Sequence, residues 1–206
     1  MIQRTLLILF FMVCAVLSKA QKLSFNKDGT FKVVQFTDMH YIHGSPKSDT
    51  TLLLISRVLD AEKPDMVIFT GDIVTGRPVR EGWDALTKFV IDRQIPFAVA
   101  LGNHDHEQGV TREEIARIIT AYPNNLNTIS VPGVTGVMND VIPIYGSEKH
   151  LKVNALIYCF DSGAYSTIDG IKGYGWITLE QIKWYKNQSL RYTILLPICQ
   201  TTRSRF

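Results

Sequence analysis

Residues 65–105 read DMVIFTGDIVTGRPVREGWDALTKFVIDRQIPFAVALGNHD and contain one complete strand–helix–strand unit. Two apolar runs, 65–70 and 96–101, have the length of buried strands, and each ends in a short polar cluster. Apolar residues between them recur at helical spacing and predict a helix from about Arg80 to Arg93. Two such strands joined by a helix are expected to lie parallel in one sheet.

The same alternation of strands and helices extends on both sides of this unit. The additional predicted elements are a strand over 31–36, a helix from a cap at Asp49 or Thr50 to about Glu62, and a helix from the capping box Thr111–Glu114 to about Ala121. The order βαβαβα predicts an α/β fold with a mainly parallel sheet covered by helices on both faces.

The pattern changes in the second half of the chain. Apolar runs over 139–145 and 151–160 flank a polar turn and predict an antiparallel hairpin. Beyond a glycine-containing loop over 170–176, Thr178–Gln181 is a capping sequence for a last amphipathic helix that ends near Ser189. No linker separates a second domain, and 206 residues suit one domain with a sizeable core.

The first twenty residues predict an export signal. Arg4 supplies a positive charge, and Leu6–Leu17 is an unbroken apolar run. Ser18 and Ala20 are small residues at the −3 and −1 positions of a cleavage site before Gln21. Because the apolar run is too short to span a bilayer, we expect cleavage and a periplasmic or secreted product without a stable membrane span. An uncleaved membrane anchor is the alternative.

Charge and cysteine content say little about partners. Without the predicted signal, which holds Arg4 and Lys19, the chain has 20 basic against 19 acidic residues, so charge indicates no nucleic-acid partner. Cleavage would also remove Cys14. Export would permit a disulfide between Cys159 and Cys199, but their spacing alone gives no reason to expect one.

Polar clusters follow the three strands of the βαβαβα segment. Asp38 and His40 follow the first strand, Asp72 the second, and Asn103 with His104 the third. Ligands of open α/β sheets bind outside the carboxyl ends of the strands, so neighbouring strands would bring these clusters together. The two-residue spacing of Asp38 and His40 would place both side chains on one face of an extended segment.

These side chains suit two metal ions that act on a phosphate ester. Asp38 and His40 could bind one ion, the carboxylate of Asp72 could bridge two ions, and Asn103 offers a neutral carbonyl oxygen. His104 would be free for proton transfer or for stabilising charge on a phosphoryl group. Oxygen and imidazole ligands without thiolate suit Zn, Mn, Fe or Co. Two such ions about 3.5–4 Å apart would activate water for attack on phosphorus.

Each cluster alone has a structural alternative. An acid after a strand is commonly a turn former or a helix cap, and Asn103 could be a left-handed turn residue. The occurrence of all three clusters in order, each after a strand, favours the metal site. His43 and His106 flank the clusters and are expected to be solvated loop residues, the alternative being that they line the mouth of the site or contact a substrate. His150 in the hairpin turn is expected to be exposed.

The set D-x-H, G-D and G-N-H-D resembles the first three motifs of the calcineurin-like metallophosphoesterases. The longer stretches FKVVQFTDMHY, AEKPDMVIFTGD, ALGNHDHE, FDSGAYS and GYGWI are similar to the purple-acid-phosphatase-like branch of bacteria and plants. The resemblance covers roughly residues 32–189 and implies the N-terminal part of a four-layer αββα sandwich. It also implies a phosphoric monoester or diester hydrolase that acts on a phosphate-ester substrate.

Carried over residue by residue, the resemblance implies that Asp38 and His40 bind the first ion, that Asp72 bridges both ions, and that Asn103 binds the second. The implied metal ligands are Asp38, His40, Asp72 and Asn103. His104 would be the general acid or the stabiliser of a phosphate oxygen, and Asp105 could orient it.

The sequence also departs from the family's pattern. Thr75 stands where purple acid phosphatases have a tyrosine ligand, so no iron–tyrosine centre is expected, and His40 stands where they have glycine. Family members have three further histidine ligands toward the C-terminus, whereas the last histidine here is His150. We therefore expect a complete ligand core for one ion and a weak second site.

The tail 190–206, LRYTILLPICQTTRSRF, contains none of those histidines. One interpretation is a natural final strand and tail. The interpretation that we favour is an interrupted reading frame, which would leave 21–189 as an incomplete metallophosphoesterase domain with an uncovered apolar sheet face. The alternative function is an inactive remnant or binding module of the same fold. Translation of the downstream DNA in the other two frames would test the interruption.

Overall fold

The computed structural model describes residues 22–148 and 152–195. The predicted export signal, His150 and Cys199 lie outside the described residues. The elements in chain order are β1 Leu23–Ser24, β2 Val33–Phe36, α1 Pro46–Glu62, β3 Met66–Thr70, α2 Val79–Asp92, β4 Phe97–Ala100, α3 Arg112–Thr120, β5 Asp140–Tyr145, β6 Val153–Cys159 and α4 Leu179–Leu195. Within these two ranges, no helix is long and apolar enough to cross a membrane.

The segment from β2 to β4 forms the predicted parallel unit. The central strand β3 pairs in parallel with β2 and with β4, with Val33 opposite Met66 and Val67 opposite Phe97. Helices α1 and α2 connect the strands, so the carboxyl ends of all three strands lie at one edge of the sheet. The three polar clusters begin at that edge.

Helices α1, α2 and α3 cover only one face of this sheet. They form the main core with the sheet residues Val67, Phe69, Phe97 and Val99. The largest helix side chains in that core are Ile55 and Leu59 of α1, Trp83 and Leu86 of α2, and Ile115 and Ile119 of α3. The prediction of helices on both faces is therefore wrong. Strands that are apolar on both sides do not specify whether a helix or a second sheet covers each side.

A second sheet, with the order β1-β5-β6, covers the other face. The predicted hairpin is confirmed, since β5 and β6 pair antiparallel, and β1 adds to β5 in parallel. Met66 and Ala98 of the first sheet are fully buried against this sheet, together with Ile142 and Ile144. The expected uncovered face is thus covered in part by a sheet whose first strand, only two residues long, the sequence did not indicate.

Helix α4 packs on the outer face of the second sheet. Trp184 and Tyr185 contact Tyr158 and Phe160, with ring centroids 4.8–6.2 Å apart. The fold is therefore α/β with two small sheets between helices, which is consistent with part of the αββα arrangement that the resemblance implied.

Two helix ends differ from the sequence prediction, and two others agree with it. Helix α1 begins at Pro46 after Ser45 rather than at Asp49 or Thr50, because proline at the first helical position has the required φ. Helix α4 continues through Leu195 instead of ending near Ser189, so 190–195 is helical and not a final strand. The capping boxes at Thr111–Glu114 and Thr178–Gln181 are both present.

Candidate metal centre

The loop after β2 lies directly beside the loop after β3. The backbone N–H groups of Asp38, His40 and Tyr41 donate to the carbonyl groups of residues 71, 72 and 73, at 2.8–3.0 Å. This ladder extends the pairing of β2 and β3 beyond the sheet. It holds the first two polar clusters next to each other.

Left-handed backbone conformations direct the first two clusters. Asp38, His40 and Asp72 have φ values of 51°, 44° and 54°, which residues with a Cβ rarely adopt. The side chains of Asp38 and His40 therefore converge because both residues have left-handed backbone conformations. They do not lie in the extended segment that their spacing suggested. Strained backbone of this kind clusters at functional sites.

The three side chains come close enough to share one cation. Asp38, His40 and Asp72 each offer one ligand atom, and these atoms all lie within 4.8 Å of one another. Two carboxylate oxygens and one imidazole nitrogen form a donor set that suits Zn, Mn, Fe or Co. The residues present thus fit one metal ion.

Two glycines allow the third loop to approach Asp72. A Cβ on Gly71 would lie 2.8 Å from Gly102 Cα, and a Cβ on Gly102 would lie 2.2 Å from Asp72 Oδ1. With no side chains there, the two loops touch, and the N–H of His104 donates to Asp72 Oδ1 at 2.8 Å. Asp72 is thereby fixed between the first and third clusters.

Asn103 also has a feature that fits a metal ligand. Its Nδ2 is buried and has no hydrogen-bond partner among the described residues. Rotation of the amide would place Oδ1 at that position, where it could bind a cation. Asn103 and Asp72 could then contribute one ligand each to a second ion.

Asp105 holds the loops together and does not orient His104 as expected. Its fully buried carboxylate accepts four backbone N–H groups at 2.8–3.2 Å, from Asp72, Ile73, Val74 and Gly102. Burial raises the pKa of Asp105, and these hydrogen bonds oppose that rise. The spacing in G-N-H-D gave no sign of this role.

Glu107 contacts His104 instead. Glu107 Oε2 lies 2.7 Å from Nδ1 of His104, and the hydroxyl group of Tyr165 donates to Glu107 Oε1. The hydrogen bond to Glu107 raises the pKa of His104, and the bonds from Tyr165 and then His104 lower the pKa of Glu107. We call this the His104–Glu107–Tyr165 chain. The sequence offered a weak sign of Glu107, three residues after His104, and none of Tyr165.

The flanking histidines differ from each other. His43 is exposed, with its ring 6.5 Å from that of Tyr41, as expected for a solvated loop residue. The His106 ring lies 6.4 Å from that of Tyr165, and its Nδ1 is buried without a hydrogen-bond partner among the described residues. His106 is therefore half-buried, and its Nδ1 is shielded from solvent.

A buried ion pair supports the loop that carries the third cluster. Arg112 at the start of α3 pairs with the buried Asp161 after β6, and it donates to the carbonyl groups of Leu101 and Gly102. Gln181 of α4 donates to the Asp161 carbonyl at 2.6 Å. Asp161 thus connects the loop after β4 to α4.

Comparison with known proteins agrees with this geometry. Residues 31–198 match the model of the calcineurin-like phosphoesterase family. The chain is 32% identical over 198 residues to probable inactive purple acid phosphatase 29 of Arabidopsis thaliana, covering 84% of this chain and 51% of that protein. It is 33% identical over 193 residues to phosphatase DCR2 of Saccharomyces cerevisiae, covering 82% of this chain and 33% of that protein.

A shorter match is to a relative that is named for a different activity. UDP-2,3-diacylglucosamine pyrophosphatase LpxG of Chlamydia trachomatis is 34% identical over 91 residues, covering 43% of this chain and 27% of that protein. The chain spans about half or less of the length of the curated relatives it matches. The resemblance seen in the motifs is confirmed: the chain belongs to the calcineurin-like phosphoesterase family.

Proposed function

We propose that the protein is a metal-dependent phosphoric-ester hydrolase. The observation behind this proposal is the convergence of Asp38, His40 and Asp72, whose ligand atoms lie within 4.8 Å of one another in a member of a phosphoesterase family. These three residues would hold the first cation, and Asp72 with Asn103 would hold a second, weaker one. Bound divalent cations would supply Lewis-acid activation of water and of the phosphoryl group.

The chain's own residues would position the proton donor. His104 follows Asn103 directly, and its Nδ1 is engaged by Glu107, which leaves Nε2 as the available ring nitrogen. An imidazolium that donates through Nδ1 to a carboxylate can give its Nε2 proton to a leaving oxygen. It can also stabilise charge on a phosphoryl oxygen. The substrate side would then be the side of the ring that Glu107 does not occupy.

Turnover of p-nitrophenyl phosphate and bis(p-nitrophenyl) phosphate with Zn, Mn, Fe or Co tests the proposal. We expect Asp72→Asn and His104→Ala each to lower kcat/KM by more than about a hundredfold, because each removes a group at the reacting centre. Asp49→Asn, which removes an exposed carboxylate of α1, is the matched control. If the folded protein hydrolyses neither ester with any of these metals, the proposed hydrolase function is wrong.

An inactive binding module is the second candidate. Two observations favour it: one relative is named a probable inactive purple acid phosphatase, and Asp38, His40 and Asp72 form the one group of three acidic or imidazole ligands found among the described residues. Calorimetric titration with zinc separates the candidates. Two bound ions, the first tight and the second weaker, support the hydrolase, whereas one weak ion or none supports the module.

We also propose export of the protein with cleavage after Ala20. The support is the sequence of the first twenty residues alone. Mass spectrometry of the protein recovered outside the cytoplasm would show an N-terminus at Gln21. An N-terminus at Met1 would contradict the proposal.

A further inference from the structure

The Glu107 carboxylate is held from two sides. Its Oε2 lies 2.7 Å from Nδ1 of His104, and its Oε1 accepts a hydrogen bond from the hydroxyl group of Tyr165. Among the described residues, the structure shows these two hydrogen bonds for the Glu107 side chain. Glu107 is exposed to solvent, and an exposed glutamate side chain has high rotamer freedom. The tyrosine hydroxyl group is therefore the one that fixes the carboxylate against His104.

Tyr165 is itself fixed by a short hairpin over 164–175, which lies in the connection between β6 and α4. Tyr165 pairs antiparallel with Tyr174, and backbone hydrogen bonds from residues 166 and 175, at 2.9 and 3.1 Å, flank this pair. The two rings stack with their centroids 6.1 Å apart. Because a tyrosine side chain has only two χ angles, the pairing and the stacking leave its hydroxyl group few positions. The hairpin thus presents a preorganised donor to Glu107.

The base of the hairpin is attached to the buried ion pair. The N–H of Gly163 donates to Asp161 Oδ1 at 2.9 Å, and Asp161 pairs with Arg112. Arg112 also donates to two carbonyl groups of the loop after β4, the loop that carries the third cluster. A Cβ on Gly175 would lie 2.8 Å from the carbonyl oxygen of Ser162, so the chain can close at this point because glycine has no side chain. These contacts fix the hairpin relative to the loop of the third cluster.

The Tyr165 hydroxyl group has a single proton, and it donates that proton to Glu107. His104 adjoins the metal centre, since its ring centroid lies 5.6 Å from that of His40. We infer that Tyr165 is a positioning residue, which holds Glu107 against Nδ1 of His104 so that Nε2 faces the substrate side. Its effect on the reaction rests on the proposed hydrolase function. The hydrogen bonding of the imidazole does not depend on that function.

Nitrogen-15 NMR of His104 in metal-free protein tests the positioning, at about pH 9, where imidazole is neutral. The His104 signals are those lost in His104→Ala. A carboxylate at Nδ1 favours the tautomer that carries its proton on Nδ1. In Tyr165→Phe we expect the ratio of the Nδ1–H to the Nε2–H tautomer to fall at least about threefold, because water then competes for the released carboxylate.

Tyr174→Phe is the matched control. It keeps the ring that stacks on Tyr165 and removes a hydroxyl group for which the structure shows no hydrogen bond among the described residues, so the tautomer ratio should stay unchanged. Glu107→Ala should lower the ratio as Tyr165→Phe does. In the Glu107→Ala background, Tyr165→Phe should have no further effect, because the tyrosine acts through the carboxylate.

Hydrolysis of p-nitrophenyl phosphate tests the consequence for the reaction. Tyr165→Phe should lower kcat about tenfold and leave KM unchanged, since loss of a positioning contact affects the transition state and not substrate binding. Tyr174→Phe should change neither constant.

An unchanged tautomer ratio in Tyr165→Phe, or an equal change in Tyr174→Phe, overturns the inference. So does an unchanged kcat, or a rise in KM alone, which would indicate direct contact with the substrate. If the unmodified protein hydrolyses no ester, the hydrolase function is rejected. The tautomer ratio then still decides whether Tyr165 positions His104.

Discussion

Glu107 determines how the imidazole of His104 is held. Its carboxylate lies 2.7 Å from Nδ1, and its other oxygen accepts the Tyr165 hydroxyl group. The raised pKa of His104 follows from the first of these contacts. In the folded state the protonated imidazole is therefore favoured up to a higher pH than in the unfolded chain. The associated stabilisation is present below the unfolded pKa and is lost as the pH rises through the folded pKa.

Replacing Glu107 with glutamine should lower the pKa of His104, because a neutral amide does not stabilise the imidazolium charge. The measurement is an NMR pH titration of the His104 ring protons in metal-free protein. Because both side chains are partly exposed to solvent, we expect the midpoint of the His104 titration to shift to lower pH without a comparable loss of stability. Glu113→Gln removes the same charge from the exposed start of α3 and is the control. An unchanged His104 midpoint in Glu107→Gln would show that the contact does not set its protonation.

Gly102 controls the position of Asp72. Because an added Cβ would lie 2.2 Å from Asp72 Oδ1, Gly102→Ala must push the carboxylate or the loop away from its present place. We expect zinc affinity to fall by at least about tenfold, as for other changes that displace a metal ligand. Calorimetric titration measures this change. In the control Gly146→Ala, the new methyl group meets only the flexible side chain of Asn154, so zinc affinity should stay unchanged.

At the scale of elements, the Arg112–Asp161 pair connects α3 to the loop after β6. Both side chains are largely buried, and Asp161 also accepts the backbone N–H groups of Val137 and Gly163. A buried carboxylate in this position depends on its cationic partner. The pair therefore connects the loop after β4, which carries the third cluster, to the loop after β6, which contacts α4.

Arg112→Met should lower the free energy of unfolding by about 3–5 kcal/mol, because it leaves the Asp161 charge buried and unpaired. The double variant Arg112→Met/Asp161→Asn should lose less than the sum of the single variants, since it removes both charges. Urea unfolding gives the three values. Lys88→Met breaks an exposed pair with Asp92 and should cost less than about 1 kcal/mol. A similarly small cost for Arg112→Met would mean that water stabilises Asp161.

The elements differed in how well the sequence predicted them. Strands β3 and β4 were predictable because each is a short apolar run ending at a glycine. Strand β1 was not, because two residues cannot show a period. The start of α1 was misplaced since Asp49 and Thr50 also satisfy the cap preference, and only the backbone shows that Ser45 and Pro46 open the helix.

For the whole molecule, the sequence could predict which residues form the site. It could not predict the backbone conformations and hydrogen bonds that hold them in place. Asp38, His40 and Asp72 could be grouped because they follow adjacent parallel strands. Their left-handed conformations, and the role of Asp105 as acceptor for two loops, depend on backbone geometry formed only when the loops meet. Tyr165 lies 58 residues from Glu107, and no local pattern encodes a contact over that separation.

Metal binding should therefore stabilise the whole fold through the loops that it joins. A cation that binds only the folded chain adds about 2.7 kcal/mol at a free concentration of a hundred times its Kd. For a chain of this size that corresponds to a rise in Tm of about 5–10 °C. His40→Ala should abolish the rise with zinc or manganese, because it removes one of three ligands of the first ion. His43→Ala removes an exposed imidazole three residues away and should keep the rise in full. An equal rise in both variants, measured by scanning calorimetry, would place the bound ion elsewhere and would remove the main support for the proposed chemistry.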